Sequence, residues 1–135
     1  MTIFFQRLSL VSGAGGDPIA PLKDAFYNQF DASGNHGDEL RDWVKCYLSE
    51  IRDQGIESGG RIATMRETNP KFIFRNYLAQ LAIDDANQGD FNFLDNLLRV
   101  LRNPYAEQPE NENLAGKRPE WAKERAGCSM LSCSS

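Results

Sequence analysis

Three cysteines and one histidine are the residues of this sequence whose side chains are best suited to covalent or acid–base chemistry. Cys128 and Cys133 lie near the C-terminus with four residues between them, and Cys46 stands far from both. Their spacing differs from the Cys-x-x-Cys pattern of redox and zinc sites, so a disulfide between Cys128 and Cys133 is compatible with the sequence but not required by it. From the residues alone, Cys133 is either a redox-active thiol that reaches a distant partner or an exposed thiol without a role.

Catalytic and phosphate-binding patterns are missing elsewhere. His36 lies in the predicted loop Ser33–Asp38, and nothing in the sequence indicates an acid or a nucleophile that would act with it. The Gly-rich stretch Ser12–Pro18 ends in Asp17-Pro18, where a phosphate-binding loop requires Gly-Lys followed by Ser or Thr. We therefore predict that this chain binds no metal and no other cofactor and contains no catalytic residue.

Composition excludes several classes of protein. The 135 residues carry 15 Lys and Arg against 19 Asp and Glu, for a net charge of −4, and 41% of them are hydrophobic. These values are typical of a soluble globular domain rather than a disordered chain. No basic stripe is available for nucleic-acid phosphates, and no apolar stretch reaches the roughly 18 residues of a membrane span. The first residues lack a secretory-signal pattern, so we expect a cytoplasmic protein without nucleic-acid or membrane partners.

The elements that would position these residues are predicted to be helices. The clearest apolar periodicity follows Asp38, a predicted N-cap, and stops before Gly55. Asn69-Pro70 indicates the start of a broad apolar helix. No alternating strand pattern occurs, so we predict an all-α bundle of about five helices. Further predicted helices cover residues 19–30, 71–87 and 91–102, with shorter pieces at 3–8 and 61–67.

The sequence changes character after residue 105. It becomes polar, contains Pro109 and Pro119, and shows no helical or strand period, with Trp121 as its one aromatic residue. We predict a helical domain over residues 1–105 and an extended or disordered tail over residues 106–135, which ends in Cys-Ser-Ser.

Several short motifs, in order, resemble the C-terminal region of the SelO (YdiU) family. The resemblance is strongest between Asn69 and Tyr105 and at the last three residues. The motifs that carry it are Asn69-Pro70-Lys71, Arg75-Asn76-Tyr77-Leu78-Ala79-Gln80, Ala82-Ile83, Gly89-Asp90, Phe93-Leu94, Leu97-Leu98, Arg102-Asn103-Pro104-Tyr105, Pro119-Glu120-Trp121-Ala122 and Cys133-Ser134-Ser135.

This resemblance implies a fold and a chemistry. SelO proteins are pseudokinase-fold protein adenylyltransferases, which transfer AMP from ATP to Ser, Thr or Tyr hydroxyls of other proteins with Mg²⁺ or Mn²⁺. The chain would then be the helical C-terminal part of a protein-kinase-like fold. The resemblance also implies that Cys133, with Cys128 as a second candidate, takes part in redox control through a disulfide to the kinase-like part.

The catalytic residues of that family do not carry over. This sequence has no Gly-rich nucleotide loop with a following Lys and no Asp-Phe-Gly, so we expect the chain alone to be inactive. Its expected partners are the kinase-like nucleotide-binding domain and protein substrates. Arg75, Asn76 and Trp121 either dock onto that domain or pack and anchor the chain itself. A split-gene remnant, a free-standing helical interaction module and a small redox protein using Cys128 and Cys133 remain open alternatives.

Overall fold

The computed structural model describes residues 2–13, 15–27 and 30–128. The regular elements in these ranges are all helical, without a strand, which confirms the predicted all-α class. None of these helices combines the length and the apolar character needed to cross a membrane. The helices are α1 (Thr2–Leu8), α2 (Asn35–Asp53), α3 (Ser58–Thr68), α4 (Asn76–Asn87), α5 (Asn92–Leu101) and α6 (Glu112–Ala115), with 3₁₀ turns at Ala20–Ala25, Pro109–Asn111 and Glu120–Ala122.

The chain divides into two compact units, Met1–Asn69 and Pro70–Ser135. Each unit has a buried apolar cluster of its own. Pro70 has no backbone N–H and therefore cannot continue the hydrogen-bond ladder of α3. The division in the sequence falls between Asn69 and Pro70.

The core of the first unit joins the N-terminal segment to α2. Val44 is fully buried on α2, and Leu40, Tyr47 and Leu48 pack partly against the same cluster, as the periodicity predicts. The core residues, each no more than 2% exposed, are Leu8, Val11, Ile19, Leu22 and Val44.

Arg61 of α3 fixes the end of α1. Its Nη1 donates to the carbonyl oxygen of Leu8 at 3.0 Å and its Nη2 to that of Val11 at 2.6 Å, and the residue is only 7% exposed. Leu8 ends α1, and its carbonyl oxygen also accepts a hydrogen bond from the N–H of Val11 at 3.1 Å. The guanidinium therefore adds a second donor at Leu8 and supplies a donor to the carbonyl of Val11. Nothing in the local sequence around Arg61 predicts this contact.

The start of α2 corrects the interpretation of His36. The helix begins at Asn35, ahead of the predicted N-cap Asp38, so His36 lies in its first turn and not in a loop. Gly37 explains the earlier start, because a Cβ at that position would lie 2.1 Å from the carbonyl oxygen of Ala32. Only glycine allows the preceding turn to pack this closely against the helix.

The helix predicted over residues 19–30 is wrong in length. A 3₁₀ turn covers Ala20–Ala25, and Phe26 is extended, with ψ 151°. Pro21 lies in the first turn, where its missing N–H is tolerated. Asp17 acts near the start as expected, because its carboxylate accepts a hydrogen bond from the N–H of Ile19 at 3.4 Å.

The core of the second unit centres on α4 and α5. The helix predicted from Lys71 begins instead at Asn76. The N–H groups of Lys71 and Phe72 both donate to the carbonyl oxygen of Pro104, at 2.8 and 3.0 Å, so this stretch is held in a non-helical conformation. The buried cluster consists of Phe72, Tyr77, Leu78, Ala82, Leu97, Val100, Leu114, Ala122 and Cys128.

Residues 106–128 differ from the extended tail expected from the sequence. Short helical turns and α6 place Leu114, Ala122 and Cys128 in the core of the second unit, at 3%, 0% and 1% exposure. These pieces are three or four residues long, too short for a helical period to be visible in the sequence. Residues 129–135 of the predicted tail lie outside the described residues.

Candidate functional site

Of the two cysteines predicted for redox chemistry, the structure describes one, Cys128. Cys128 is a free thiol, 1% exposed, within the apolar core of the second unit. Cys133 lies outside the described residues. A thiol in an apolar core packs as a small hydrophobic residue and has little access to oxidants or other thiols, so Cys128 serves here as a packing residue. Cys46, the remaining cysteine, is an exposed free thiol on α2 in the first unit.

Trp121 anchors the C-terminal segment on α4. Its ring meets the ring of Tyr77 edge to face, with centroids 6.3 Å apart, and the Arg125 guanidinium lies 5.7 Å from its centroid. Arg125 is paired with Asp84 of α4 through an Nη2 to Oδ2 distance of 2.7 Å. One aromatic contact, one cation–π contact and one ion pair thus hold the chain immediately before Cys128.

Gly127 allows the segment to approach α4 closely. Its φ is +84°, in the left-handed region that side chains rarely adopt, and a Cβ would lie 2.4 Å from Oε1 of Gln80. The Gln80 side chain is itself held by a hydrogen bond from its Nε2 to Asp84 at 3.0 Å. The approach of the chain to Cys128 therefore depends on glycine at position 127.

The three residues predicted for docking differ in how exposed they are. Arg75 is 6% exposed and caps the start of α4, where its carbonyl accepts hydrogen bonds from the N–H groups of Leu78 and Ala79. Asn76 is half-buried as the first residue of the helix. Trp121 remains 45% exposed and is the one of the three that offers a large surface to a partner.

A partly buried cation joins separate segments of the second unit. Lys71 donates to Glu107 at 2.5 Å and also to Glu112, and so links the segment before α4 to the loop after α5 and to the start of α6. Burial acts to lower the pKa of Lys71, but the hydrogen bonds to the two carboxylates outweigh burial and raise that pKa above its ordinary value. Lys71 is therefore a structural cation and not a candidate base, and no signal in the sequence predicts its pairing with glutamates so far along the chain.

Metal-binding and histidine chemistry have no site in the described ranges. No group of three or more His, Cys, Asp or Glu side chains is placed to hold a metal ion in residues 2–13, 15–27 and 30–128. The His36 side chain is 87% exposed, and its Nδ1 lies 3.4 Å from Oε2 of Glu39. This ion-pair geometry is typical of a solvated helix surface.

Comparisons with known proteins give one consistent result. The chain is 48% identical over its whole length to a protein nucleotidyltransferase YdiU from Azoarcus sp. (strain BH72). Relatives with the same name from Aromatoleum aromaticum and Rhodopirellula baltica are 44% and 43% identical, again over the whole chain. The chain spans 25–27% of these relatives, about a quarter of their length. No family model matches the chain.

The all-helical fold and these relatives together define a helical segment related to protein nucleotidyltransferases. More specifically, the chain matches the C-terminal region of the SelO/YdiU family, which confirms the resemblance found in the sequence.

Proposed function

We propose that this chain forms the C-terminal helical part of a SelO-type protein adenylyltransferase. Identity of 43–48% over the whole chain to proteins four times as long is the observation that carries the proposal. In this role the assembled protein transfers AMP from ATP to Ser, Thr or Tyr hydroxyls of other proteins. The nucleotide, Mg²⁺ or Mn²⁺ and the protein substrate bind to the kinase-like part.

In this proposal the chain contributes a scaffold and not the catalytic groups. Nucleotidyl transfer needs cations for the phosphates and carboxylates for the metal ion. Two features support a structural role for the cations of the second unit. Lys71 is committed to Glu107 and Glu112, and Arg125 is paired with Asp84.

We also propose that Cys133 is the redox residue and that the anchored segment limits its reach. Trp121, Arg125 and Gly127 fix the chain up to the buried Cys128. Five further residues, fully extended, span at most about 17 Å, and a disulfide adds about 6 Å between the two Cα atoms. The Cα of a disulfide partner in the kinase-like part must therefore lie within roughly 23 Å of that of Cys128.

A chimera tests the proposed function. This chain replaces the matching region of the Azoarcus relative, and AMP transfer from labelled ATP to an acceptor protein is measured with Mg²⁺ or Mn²⁺. We expect transfer by the chimera, none by this chain alone and none by the relative without its matching region. AMP transfer by this chain alone would contradict the proposal, as would full activity of the truncated relative.

The same chimera tests the redox role. With Cys133→Ser we expect AMP transfer to become equal under reducing and oxidising conditions, whereas Cys46→Ser, which removes an exposed thiol in the first unit, serves as the control. An activity difference that persists in Cys133→Ser would show that another group senses the redox state.

One observation favours a second candidate, a free-standing helical interaction module. Each of the two units buries an apolar cluster of its own. Circular dichroism of the purified chain distinguishes the two candidates. A cooperative thermal transition supports the module, whereas a chain without cooperative unfolding that aggregates indicates dependence on a larger protein.

A further inference from the structure

A methionine side chain lines an open groove in the first unit. The groove lies between α1, the C-terminal half of α2 and α3, and its volume is about 540 Å³. Phe5 and Ile56 on its walls remain 37% and 43% exposed, so the groove opens to solvent. Met65 of α3 belongs to the lining and is half-buried. The side chain of Met65 is therefore accessible to small molecules in water.

Two hydrogen-bond donors meet at the sulfur of Met65. The Tyr47 hydroxyl donates to Sδ at 3.6 Å, and Nη1 of Arg61 lies 3.9 Å from the same atom. The oxygen of that hydroxyl also accepts a hydrogen bond from Arg61 Nη1 at 3.5 Å, while its hydrogen is directed to the sulfur. A thioether sulfur is a weak acceptor, so both donors face an atom that forms only weak hydrogen bonds.

An oxygen atom on this sulfur would be a better partner for the two donors. Oxidation converts the apolar methionine side chain into a polar sulfoxide, and a polar oxygen buried without a donor is costly. At Met65 the donors are already in place. Nη1 of Arg61 carries two hydrogens, so it can bind the sulfoxide oxygen and keep its hydrogen bond to the carbonyl of Leu8 at 3.0 Å.

We propose that Met65 is an oxidation site whose sulfoxide is held by the Tyr47 hydroxyl and the Arg61 guanidinium. The oxidant is a peroxide. With hydrogen peroxide, the O–O bond breaks, one oxygen atom forms an S=O bond to Sδ, the sulfur loses two electrons and the other oxygen leaves as water. The modification places a hydrogen-bond acceptor in a lining that was apolar at this position. The proposal does not depend on the AMP-transfer function.

Treatment of the full chain with hydrogen peroxide at about pH 5 tests whether the site reacts. Cysteine thiols are protonated and slow to react at this pH, whereas a thioether needs no deprotonation. Mass spectrometry of proteolytic peptides then locates the added oxygen, and we expect one oxygen atom on the peptide that contains Met65. If Met65 stays unmodified while a short methionine peptide in the same solution is oxidised, the proposal is wrong.

Tyr47→Phe tests whether the hydroxyl holds the sulfoxide, because it removes one donor and keeps the ring that stacks on Trp43 at 5.5 Å. We expect oxidation to lower the melting temperature of this variant by about 4 °C or more beyond its effect on the parent chain. Tyr105→Phe, which removes a hydroxyl from a half-exposed residue in the second unit, is the matched control and should respond to oxidation as the parent does. Equal shifts in the two variants would overturn the proposal.

Met65→Leu separates this site from Met1 and Met130, which lie outside the described residues. Leucine has a similar volume and no oxidisable sulfur. In a Met65→Leu background, we expect Tyr47→Phe to add nothing to the effect of peroxide on the melting temperature. An added loss that persists in this background would show that the Tyr47 hydroxyl acts on another oxidised residue, and it would contradict the proposal.

Discussion

Arg61 carries much of the organisation of the first unit through two hydrogen bonds. Its guanidinium joins α3 to the carbonyls of two core residues, Leu8 at the end of α1 and Val11 three residues later. A buried carbonyl without a donor is costly, so a single cation here decides whether the N-terminal segment packs.

Replacing Arg61 with Met is expected to destabilise the chain by about 1–3 kcal/mol, because the carbonyl of Val11 loses its donor and that of Leu8 keeps only the N–H of Val11. Urea denaturation followed by circular dichroism measures the free energy of unfolding. Arg52→Met on α2, at an exposed position, should change it by less than about 0.5 kcal/mol. Equal losses in the two variants would show that the carbonyl contacts contribute little.

Because of Asp17, we expect the first unit to lose stability as the pH falls. Hydrogen bonds from Arg41, with further help from Ile19 and Lys23, hold the pKa of Asp17 below its ordinary value of 3.8. A carboxyl group with a lowered folded-state pKa stabilises the fold fully above the unfolded-state pKa. That stabilisation is lost as the pH falls from about 4 through the folded-state value.

We therefore expect Asp17→Asn to be less stable than the parent chain at neutral pH and to lose less on acidification. Urea midpoints between neutral pH and about pH 2.5 check this expectation across the titration range. Parallel pH profiles for the two proteins would contradict it.

Helix boundaries show which elements local sequence determines. α3 and α5 begin and end within about three residues of their predicted limits, because the Asn-Pro pairs that follow them, Asn69-Pro70 and Asn103-Pro104, stop a helix locally. The predicted start of α4 at Lys71 was wrong because the carbonyl oxygen of Pro104, more than thirty residues away, accepts hydrogen bonds from the N–H groups of Lys71 and Phe72. On α5 the buried positions are Leu97 and Val100, while Leu98 is 47% exposed.

The candidate site was predictable in part for the same reason. Trp121 was identifiable as an anchor because it is a large aromatic residue in a polar stretch. Its partners Tyr77, Asp84 and Arg125 come together only through tertiary packing, and the burial of Cys128 follows from those contacts. The role expected for Cys133 stays a prediction.

The segment from Glu120 to Cys128 should depend on the close approach at Gly127. Gly127→Ala places a methyl group against Gln80 and strains a residue with φ +84°, whereas Gly89→Ala meets only the strain of φ +83° in open space. We expect Gly89→Ala to cost about 1 kcal/mol and Gly127→Ala about 0.5–1 kcal/mol more. Chemical denaturation of both variants measures the difference.

Removing the Gln80 side chain provides the check on this interpretation. In a Gln80→Ala background, the excess cost of Gly127→Ala over Gly89→Ala should disappear, because the obstructing Oε1 is gone. If the excess persists, the steric contact with Gln80 is not its cause.

At the scale of the whole molecule, composition indicated one soluble domain, but the chain forms two units divided at Asn69-Pro70. A length of 135 residues is compatible with one core or with two smaller ones. Periodicity predicts which residues are buried but not which of them share a cluster. The 135 residues correspond to about a quarter of the length of each relative. The helical segment is substantial enough to bury its own cores, while the proposed chemistry belongs to a protein about four times as long.

The two tryptophans of the sequence fall one in each unit, in different surroundings. The ring of Trp43 stacks on Tyr47 at 5.5 Å, whereas Trp121 lies beside the guanidinium of Arg125. Both are nearly half exposed, at 46% and 45%, and a Trp→Phe replacement keeps an aromatic ring at either position. Each single-tryptophan variant would therefore make the intrinsic fluorescence emission a spectroscopic reporter of one unit alone.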